Sequence, residues 1–474
     1  MKKMLLNIAK FLLVLLNTAT SFYLLFNIKK LNILKASYFA LVSVIIVFLW
    51  ILINTKILSN KTKKVAKIIF IFISIILSSL YIVGINYSKQ TINFVKNVTK
   101  IDYETQKYSV IVLNKDYSEI NDLKNKNIGF LNSNINLNST IEKLEKKVSF
   151  KNKKYEDIGS LVAAIYENEI DALVIDDAYI DLLEENHIDF YSESKVIYTY
   201  DLKVKTKDTR KTVDITNESF IIYISGSDSR TGVNTVARSD VNIVAVINPK
   251  DNKILLVSIP RDYYVQLHGT TGTKDKLTHA GVYGIEKSIT TIEDLLDIDI
   301  NYYTKVSFNT VINVVDVIDG IDIYSDKTFK PLTNRKCDIY EGDNHLNGEC
   351  ALAFARERYT YLSGDRHRGE NQQAVITAIV NKVSHNPKYL VRYKDILTAI
   401  DGSFVTDLSY EDITSLAKYQ LSELKEWKVE SISLDGYGAS MPTYSMGSLK
   451  LYVMLPDENT VNNAKNKINE YLNN

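Results

Sequence analysis

The chain has 474 residues, a formal net charge of +1 and two cysteines. That length exceeds one ordinary domain and implies two or three folded units. Near-neutrality argues against a nucleic-acid-binding surface, and no Cys/His spacing suggests zinc.

Leu5–Phe26, Ala36–Ile53 and Ile68–Ile85 are apolar runs close to the ~20 residues a bilayer core demands, and Lys10 is the only ionised residue inside any of them. A cleaved signal peptide would be followed by soluble sequence. Further apolar runs follow instead, so residues 1–86 are expected to form three retained membrane helices. Lys2 and Lys3, with Lys56, Lys61, Lys63, Lys64 and Lys67 of the second loop, outweigh Lys29, Lys30 and Lys35 of the first. The positive-inside rule then places the N-terminus in the cytoplasm and everything after the third span outside.

Tyr87–Lys107 is polar and reads as a stalk. Tyr108–Leu113, Ile128–Leu131 and Ala172–Ile175 have strand character, and Ile141–Lys147, Ile158–Glu167 and Ala178–Glu185 have helical character. This alternation predicts a small α/β domain over residues 105–205. "EINDLKNKNIGFLNS" and "DALVIDDAYIDLLEEN" resemble one lobe of an extracellular solute-binding protein; a spacer without a ligand is the other reading. Lys203–Ser219 is charged, poor in apolar residues, and reads as a linker.

Phe220–Ile224, Val241–Ile247 and Ile254–Ile259 are Val/Ile-rich runs of strand length, expected in a sheet covered on both faces. Helices are predicted over Phe308–Ile318, stopped by Gly320, over Gly369–Val383, and over Ser409–Leu421, opened by Ser409-x-x-Asp412. Ile321–Tyr324 returns as a strand. Cys337 and Cys350 lie in this region. An exterior location permits a disulfide, and two buried thiols are the alternative.

Charged residues gather at the ends of the three strong strands: Asp228 and Arg230 in "YISGSDSR", Arg238 and Asp240 in "ARSDVN", Arg261 and Asp262 in "SIPRD". Further on, "FARERYTYLSGDRHRGENQQ" carries Arg356, Arg358, Arg366 and Arg368 beside Asp365. Ligands of open α/β sheets bind at strand ends. Arginine offers a permanently charged planar fork matched to phosphate oxygens. Several arginines with one or two aspartates therefore suit a pyrophosphate and a divalent metal, with charge neutralised during phosphoryl transfer. No glycine-rich nucleotide loop is present.

"GSDSR", "RSDVN", "SIPRD", "DKLTHA", "NYYTKVSFNTVINVVDVIDGIDIY", "HLNGECALAFARER" and "GDRHRGENQQ" occur in that order from Phe220 onward. Together they resemble the LytR-CpsA-Psr family of cell-wall glycopolymer ligases. The resemblance implies a catalytic α/β domain over residues 215–474 with a central mixed sheet covered by helices, held outside a Gram-positive-type cell by a multi-pass membrane anchor. It implies Mg²⁺ at Asp228 and Asp240, and a pyrophosphate clamp of Arg238, Arg261, Lys276, Arg356, Arg358, Arg368 and Gln372. Asp365 matches the aspartate opening the last motif. Arg366 and His367 occupy variable positions, and Glu370 stands where many members carry a basic residue.

The implied reaction transfers a glycopolymer with its phosphate from undecaprenyl pyrophosphate to a peptidoglycan N-acetylmuramic acid hydroxyl, with no nucleic acid involved. Arg261 and Arg358 are expected to be essential, and Asp262 and Asp365 are the candidate bases. The polyprenyl tail of family substrates lies in an apolar tunnel; here the apolar runs could line one or simply form core. A polyprenyl-pyrophosphate phosphatase and a non-catalytic membrane receptor or transcriptional attenuator are the alternative readings. The second lacks a helix-turn-helix and a cytoplasmic domain of useful size.

Overall fold

A computed structural model describes residues 2–473 except 33, 35, 100–102, 114, 115, 133, 135, 181, 182, 184–188, 228–231, 362, 363, 387 and 390–392. It divides into two compact units, one of residues 1–99, 384–398 and 408–425, the other of the remainder.

In the first unit, α1 (Lys2–Leu31), α2 (Ala36–Leu58) and α3 (Lys64–Val98) are long and apolar enough to cross a membrane. Leu24, Ile46, Tyr81 and Ile85 pack among them. Two polar contacts join them, of the kind favoured in a medium without water: Asn17 donates to Asn54 at 3.1 Å, and Trp50 to Thr18 at 2.9 Å. The stalk expected over Tyr87–Lys107 is not seen. The third helix runs on to Val98 and a strand begins at Tyr103. Ser88, Thr91, Ile92, Val95 and Val98 keep a buried stripe at helical spacing, so the polar residues between them form only the outer face. The helix Tyr410–Glu423 opens on the expected capping box of Ser409 and Asp412.

The second unit holds two main sheets. The first comprises β1 (Tyr103–Val112), β2 (Asn127–Leu131), β3 (Lys151–Tyr155), β4 (Ala172–Asp176) and β5 (Lys195–Lys205), in the order β3-β2-β4-β1-β5. α4 (Leu137–Glu145) and α5 (Ile158–Tyr166) cover it, and each face has its own apolar core. The sequence "KNKKY" of β3 hides a strand because it is an edge, paired only with β2, where lysines face solvent and discourage further pairing. Of the helix expected over Ala178–Glu185, Asp177–Tyr179 form a tight 3-10 turn, Ile180 and Leu183 are helical, and the rest lies outside the described residues.

The second sheet has six strands in the order β14-β11-β6-β7-β8-β15. β7 (Val241–Asn248) runs antiparallel to both its neighbours, β6 (Phe220–Ser227) and β8 (Lys253–Ser258). Two short strands, β9 (Tyr264–Val265) and β10 (Asp275–Lys276), pair beside it. β11 (Tyr302–Ser307) runs parallel to β6, β14 (Phe404–Thr406) antiparallel to β11, and β15 (Lys428–Ser433) parallel to β8. Between them, β12 (Ile321–Ser325) pairs with β13 (Gly342–Leu346) in a separate ribbon. The chain closes with the hairpin β16 (Gly436–Thr443) and β17 (Gly447–Pro456).

The two faces of the six-stranded sheet differ. Ile221, Tyr223, Val244, Val246, Leu255 and Val257 are packed under α6 (Ile285–Leu296) and, in the C-terminal helix Glu458–Asn473, Val461, Ala464 and Ile468. The alternate residues Ile222, Ile224, Ala245, Ile247, Ile254 and Leu256 line an open apolar chamber. Its other wall is α7 (Phe308–Val317), α8 (Gly348–Arg356) and α9 (Asp365–Ser384). The empty space, including its mouth, is about 1450 Å³. The same apolar runs thus build core on one face and a chamber on the other, as a period of two permits.

The two sheets are joined by more than a linker. Thr105 forms a parallel bridge with Thr235, and buried Lys305 pairs with buried Glu104 at 2.8 Å. The segment Lys203–Ser219 is partly ordered: β5 reaches Lys205, and Lys211 pairs with Glu293 and Asp299.

Cys337 is bonded to Cys350 in the first turn of α8, closing a loop with a sequence separation of 13. A loop of that length stabilises by about 3 kcal/mol through the unfolded chain. Cys337→Ser with Cys350→Ser should lower the denaturant-unfolding free energy by roughly that amount, without changing the fold by circular dichroism.

Candidate active site

Because β7 runs antiparallel to both β6 and β8, the end of β6, the start of β7 and the end of β8 share one edge. Asp240 donates its N–H to the Gly226 carbonyl at 2.8 Å, and Ile259 to that of Asn242 at 2.9 Å. From there an ionic chain runs inward. Arg261 Nη1 lies 2.8 Å from Asp240 Oδ1, and its Nε 3.6 Å from Asp262 Oδ2. Lys276, at the end of β10, holds the other Asp262 oxygen at 3.0 Å. Tyr263 and Tyr264 follow directly and turn into the hairpin.

α9 closes the site. It was expected from Gly369 but begins at Asp365, four residues earlier; the charged first turn masks its helical character. Asp365, Arg368 and Gln372 then recur on one helical face and line the cleft with Asp240 and Arg261. Gly369 lets the helix sit down on β8: a Cβ there would come within 2.4 Å of Ser258 Oγ. The cleft encloses about 270 Å³, including its mouth. Gln372 lines both this cleft and the apolar chamber, so the two adjoin.

The local field separates the two candidate bases. Burial works to raise the Asp262 carboxyl, but Lys276 and Arg261 outweigh it and hold the group below the usual carboxylate range. Burial also raises Asp365; Arg368 opposes it, the Asp262 charge adds to it, and the net shift is upward. Burial disfavours the charge on Arg261, yet Asp240 and Asp262 more than restore it. For Arg368 burial prevails over Asp365, and the guanidinium is lowered from its ordinary value. Among the described residues Arg261 Nε and Asp365 Oδ1 are buried without a hydrogen-bond partner, although Arg368 Nη2 stands 2.5 Å from that oxygen in an ion pair. Such unsatisfied groups are costly in a structural cluster and normal in a site awaiting a ligand.

The structure gathers Asp240, Arg261, Asp262, Lys276, Asp365, Arg368 and Gln372. Arg238 lies on the segment entering β7, against the close turn at Gly281. Arg356 caps the apolar chamber, its guanidinium 4.3 Å from the Phe308 ring centre. Arg358 is partly exposed, stacks on Tyr359 and acts electrostatically on Asp365. Asp228 lies outside the described residues. Arg366 pairs with Asp435 at 2.7 Å and Glu370 at 3.2 Å and also lines the cleft. His367 pairs with Glu370 at 2.9 Å and stacks on Tyr361. Sequence reasoning missed Asp435, which follows β15 in "LDGYG", an acid-glycine strand end like those it did find.

Among the described residues no three His, Cys, Asp or Glu converge into a self-contained metal cage. Mg²⁺ characteristically takes one or two carboxylates and completes its shell with phosphate oxygens and waters. Asp240, an oxygen donor lining an arginine-rich cleft, fits that pattern.

A cationic cleft adjoining a deep apolar chamber defines a site for an amphiphilic anion, with a charged head and a long hydrocarbon tail. The LytR_cpsA_psr family model matches residues 188–469, over half the chain, and the protein belongs to the LytR-CpsA-Psr family. It is 33% identical over 240 residues to a Bacillus cereus protein named polyisoprenyl-teichoic acid–peptidoglycan teichoic acid transferase TagU, covering 50% of this chain and 77% of that one. An Enterococcus faecalis protein of the same name is 34% identical over 242 residues, covering 50% and 78%. The crystal structure of Bacillus subtilis TagV is similar with a TM-score of 0.45 and 27% identity, over 54% of this chain and 98% of that one.

Proposed function

We propose that the protein is a membrane-anchored phosphotransferase that moves a glycopolymer, with its phosphate, from undecaprenyl pyrophosphate to an N-acetylmuramic acid hydroxyl of peptidoglycan outside the cell. The observation that carries this reading is the adjacency of cleft and chamber through Gln372. The names of the relatives, polyisoprenyl-linked donor and peptidoglycan acceptor, support the same chemistry. Three apolar helices would keep the enzyme where a lipid-linked donor resides. Lysine placement in the loops favours an exterior catalytic domain.

In this reading Arg261, Arg358 and Arg368 take the pyrophosphate oxygens, with Lys276 fixing Asp262 and through it Arg261. Asp228 and Asp240 would hold Mg²⁺, which supplies charge neutralisation at the phosphates when bound. The acceptor oxygen attacks the phosphorus bearing the sugar, and the bond from that phosphorus to the bridging oxygen breaks. Undecaprenyl phosphate leaves, and the acceptor proton passes to a base. Asp365, raised by burial and lining the cleft, suits proton acceptance better than Asp262, which Lys276 and Arg261 keep engaged.

The test is incubation of the full chain with a lipid-linked glycopolymer and peptidoglycan. Sugar covalently joined to the wall, with stoichiometric undecaprenyl phosphate, supports the reading. Release of free phosphorylated polymer alone would make the protein a phosphatase, and no turnover would favour a receptor.

A further inference from the structure

We propose that Tyr452, on β17 beside the arginine cleft, is a stacking platform for a sugar ring of the acceptor glycan. The proposal rests on the transferase reading and extends it to the side of the site away from the apolar chamber.

The hairpin β16–β17 is fixed to the Arg261–Asp262 motif by three successive residues. The Asp262 carbonyl accepts from the Met454 N–H at 2.7 Å. The Tyr263 hydroxyl donates to the Asp435 carbonyl at 2.7 Å, and the Tyr264 hydroxyl to that of Pro442 at 2.8 Å. Met454 is buried in the core on the sheet face opposite the chamber. Leu451, on the other face of the hairpin, is sealed with Met446 against Ile158 and Leu161 of α5. The first sheet therefore buttresses the hairpin from behind.

Tyr452 lies two residues from Met454 and shares its face. The residue is 55% exposed although the strand that carries it is anchored on both sides. Gly438 lies under it; a Cβ there would come within 3.0 Å of the ring, so the glycine leaves room for the ring against the strand. Burial and then the charges of Asp262 and Asp365 raise its hydroxyl, which places the phenol in the field of both candidate bases. The chamber for the tail lies on the other sheet face, so Tyr452 meets the site from the side away from the tail, where room is left for the acceptor. A pyranose presents a face of weakly positive C–H groups, which suits the negative face of an aromatic ring whose polar end stays wet.

The experiment measures transfer by the full chain with a lipid-linked donor while the concentration of soluble peptidoglycan glycan strands is varied. Tyr452→Ala should raise the KM for the glycan about two- to tenfold with little change in kcat, and Tyr452→Phe should rescue it. Tyr437→Ala, at a ring still more exposed but on the opposite face of the hairpin, should behave as wild type. An unchanged glycan KM in Tyr452→Ala, or an effect confined to donor affinity, overturns the proposal. A wild-type protein that transfers nothing at any glycan concentration overturns the transferase reading instead, and the platform with it.

Discussion

Arg358→Ala should lower glycopolymer transfer about 100- to 1,000-fold while leaving the thermal unfolding midpoint unchanged. Removing one preorganised charge from a phosphoryl-transfer site typically costs that much. Arg358 is the cleanest place to see it, because among the described residues its side chain bonds to the neighbouring Tyr359 hydroxyl alone, and it acts on Asp365 through space. Its loss leaves Asp365 still paired with Arg368. Arg261→Ala should be as damaging to turnover but also destabilise the fold by about 1–3 kcal/mol, since Asp240 would lose its buried donor. Initial rates with lipid-linked donor, beside thermal melts of both variants, separate the catalytic loss from the structural one. Near-normal rates in both would remove the arginines from the mechanism.

Ala245→Phe should weaken binding of a long-chain polyprenyl pyrophosphate at least about tenfold and leave the fold intact. Ala245 lies in the chamber floor on β7, where an added ring has empty space to enter rather than packed neighbours to displace. A phenyl group there would exclude roughly one five-carbon unit of the tail. At about 0.8 kcal/mol per buried CH₂, even a fraction of that loss exceeds a factor of ten. Titration with polyprenyl and geranyl pyrophosphates checks the reason as well as the result. The short chain should lose less, because its tail need not reach the blocked region. Equal losses for both would mean that the ring disturbs the arginine cleft and not the tail.

Much of this site was legible because its chemistry sits at strand ends. Val/Ile runs announced β6, β7 and β8, and the Arg–Asp pairs beside them marked the edge on which Asp240, Arg261 and Asp262 meet. What periodicity could not tell was that the two faces of one apolar strand do different work. Ile221 and Ile222 look alike in sequence, yet one is packed core and the other faces the chamber. The edge strand β3 escaped because charged residues there serve to repel further strands. The polar end of α3 looked like a stalk because its buried stripe contains serine and threonine. Tyr452 and Asp435 carry no local signal strong enough to single out; the bonds made by the Tyr263 hydroxyl and the Asp262 carbonyl bring their hairpin to the site from far along the chain.

Cleft and chamber together are expected to hold a polyprenyl chain by its phosphorylated head. Mass spectrometry of lipid extracted from the purified full-length protein tests it most directly. A polyprenyl phosphate or pyrophosphate near one equivalent per chain, depleted in Ala245→Phe, is the predicted result. Glycerophospholipid alone, in equal amounts from wild type and variant, would contradict it.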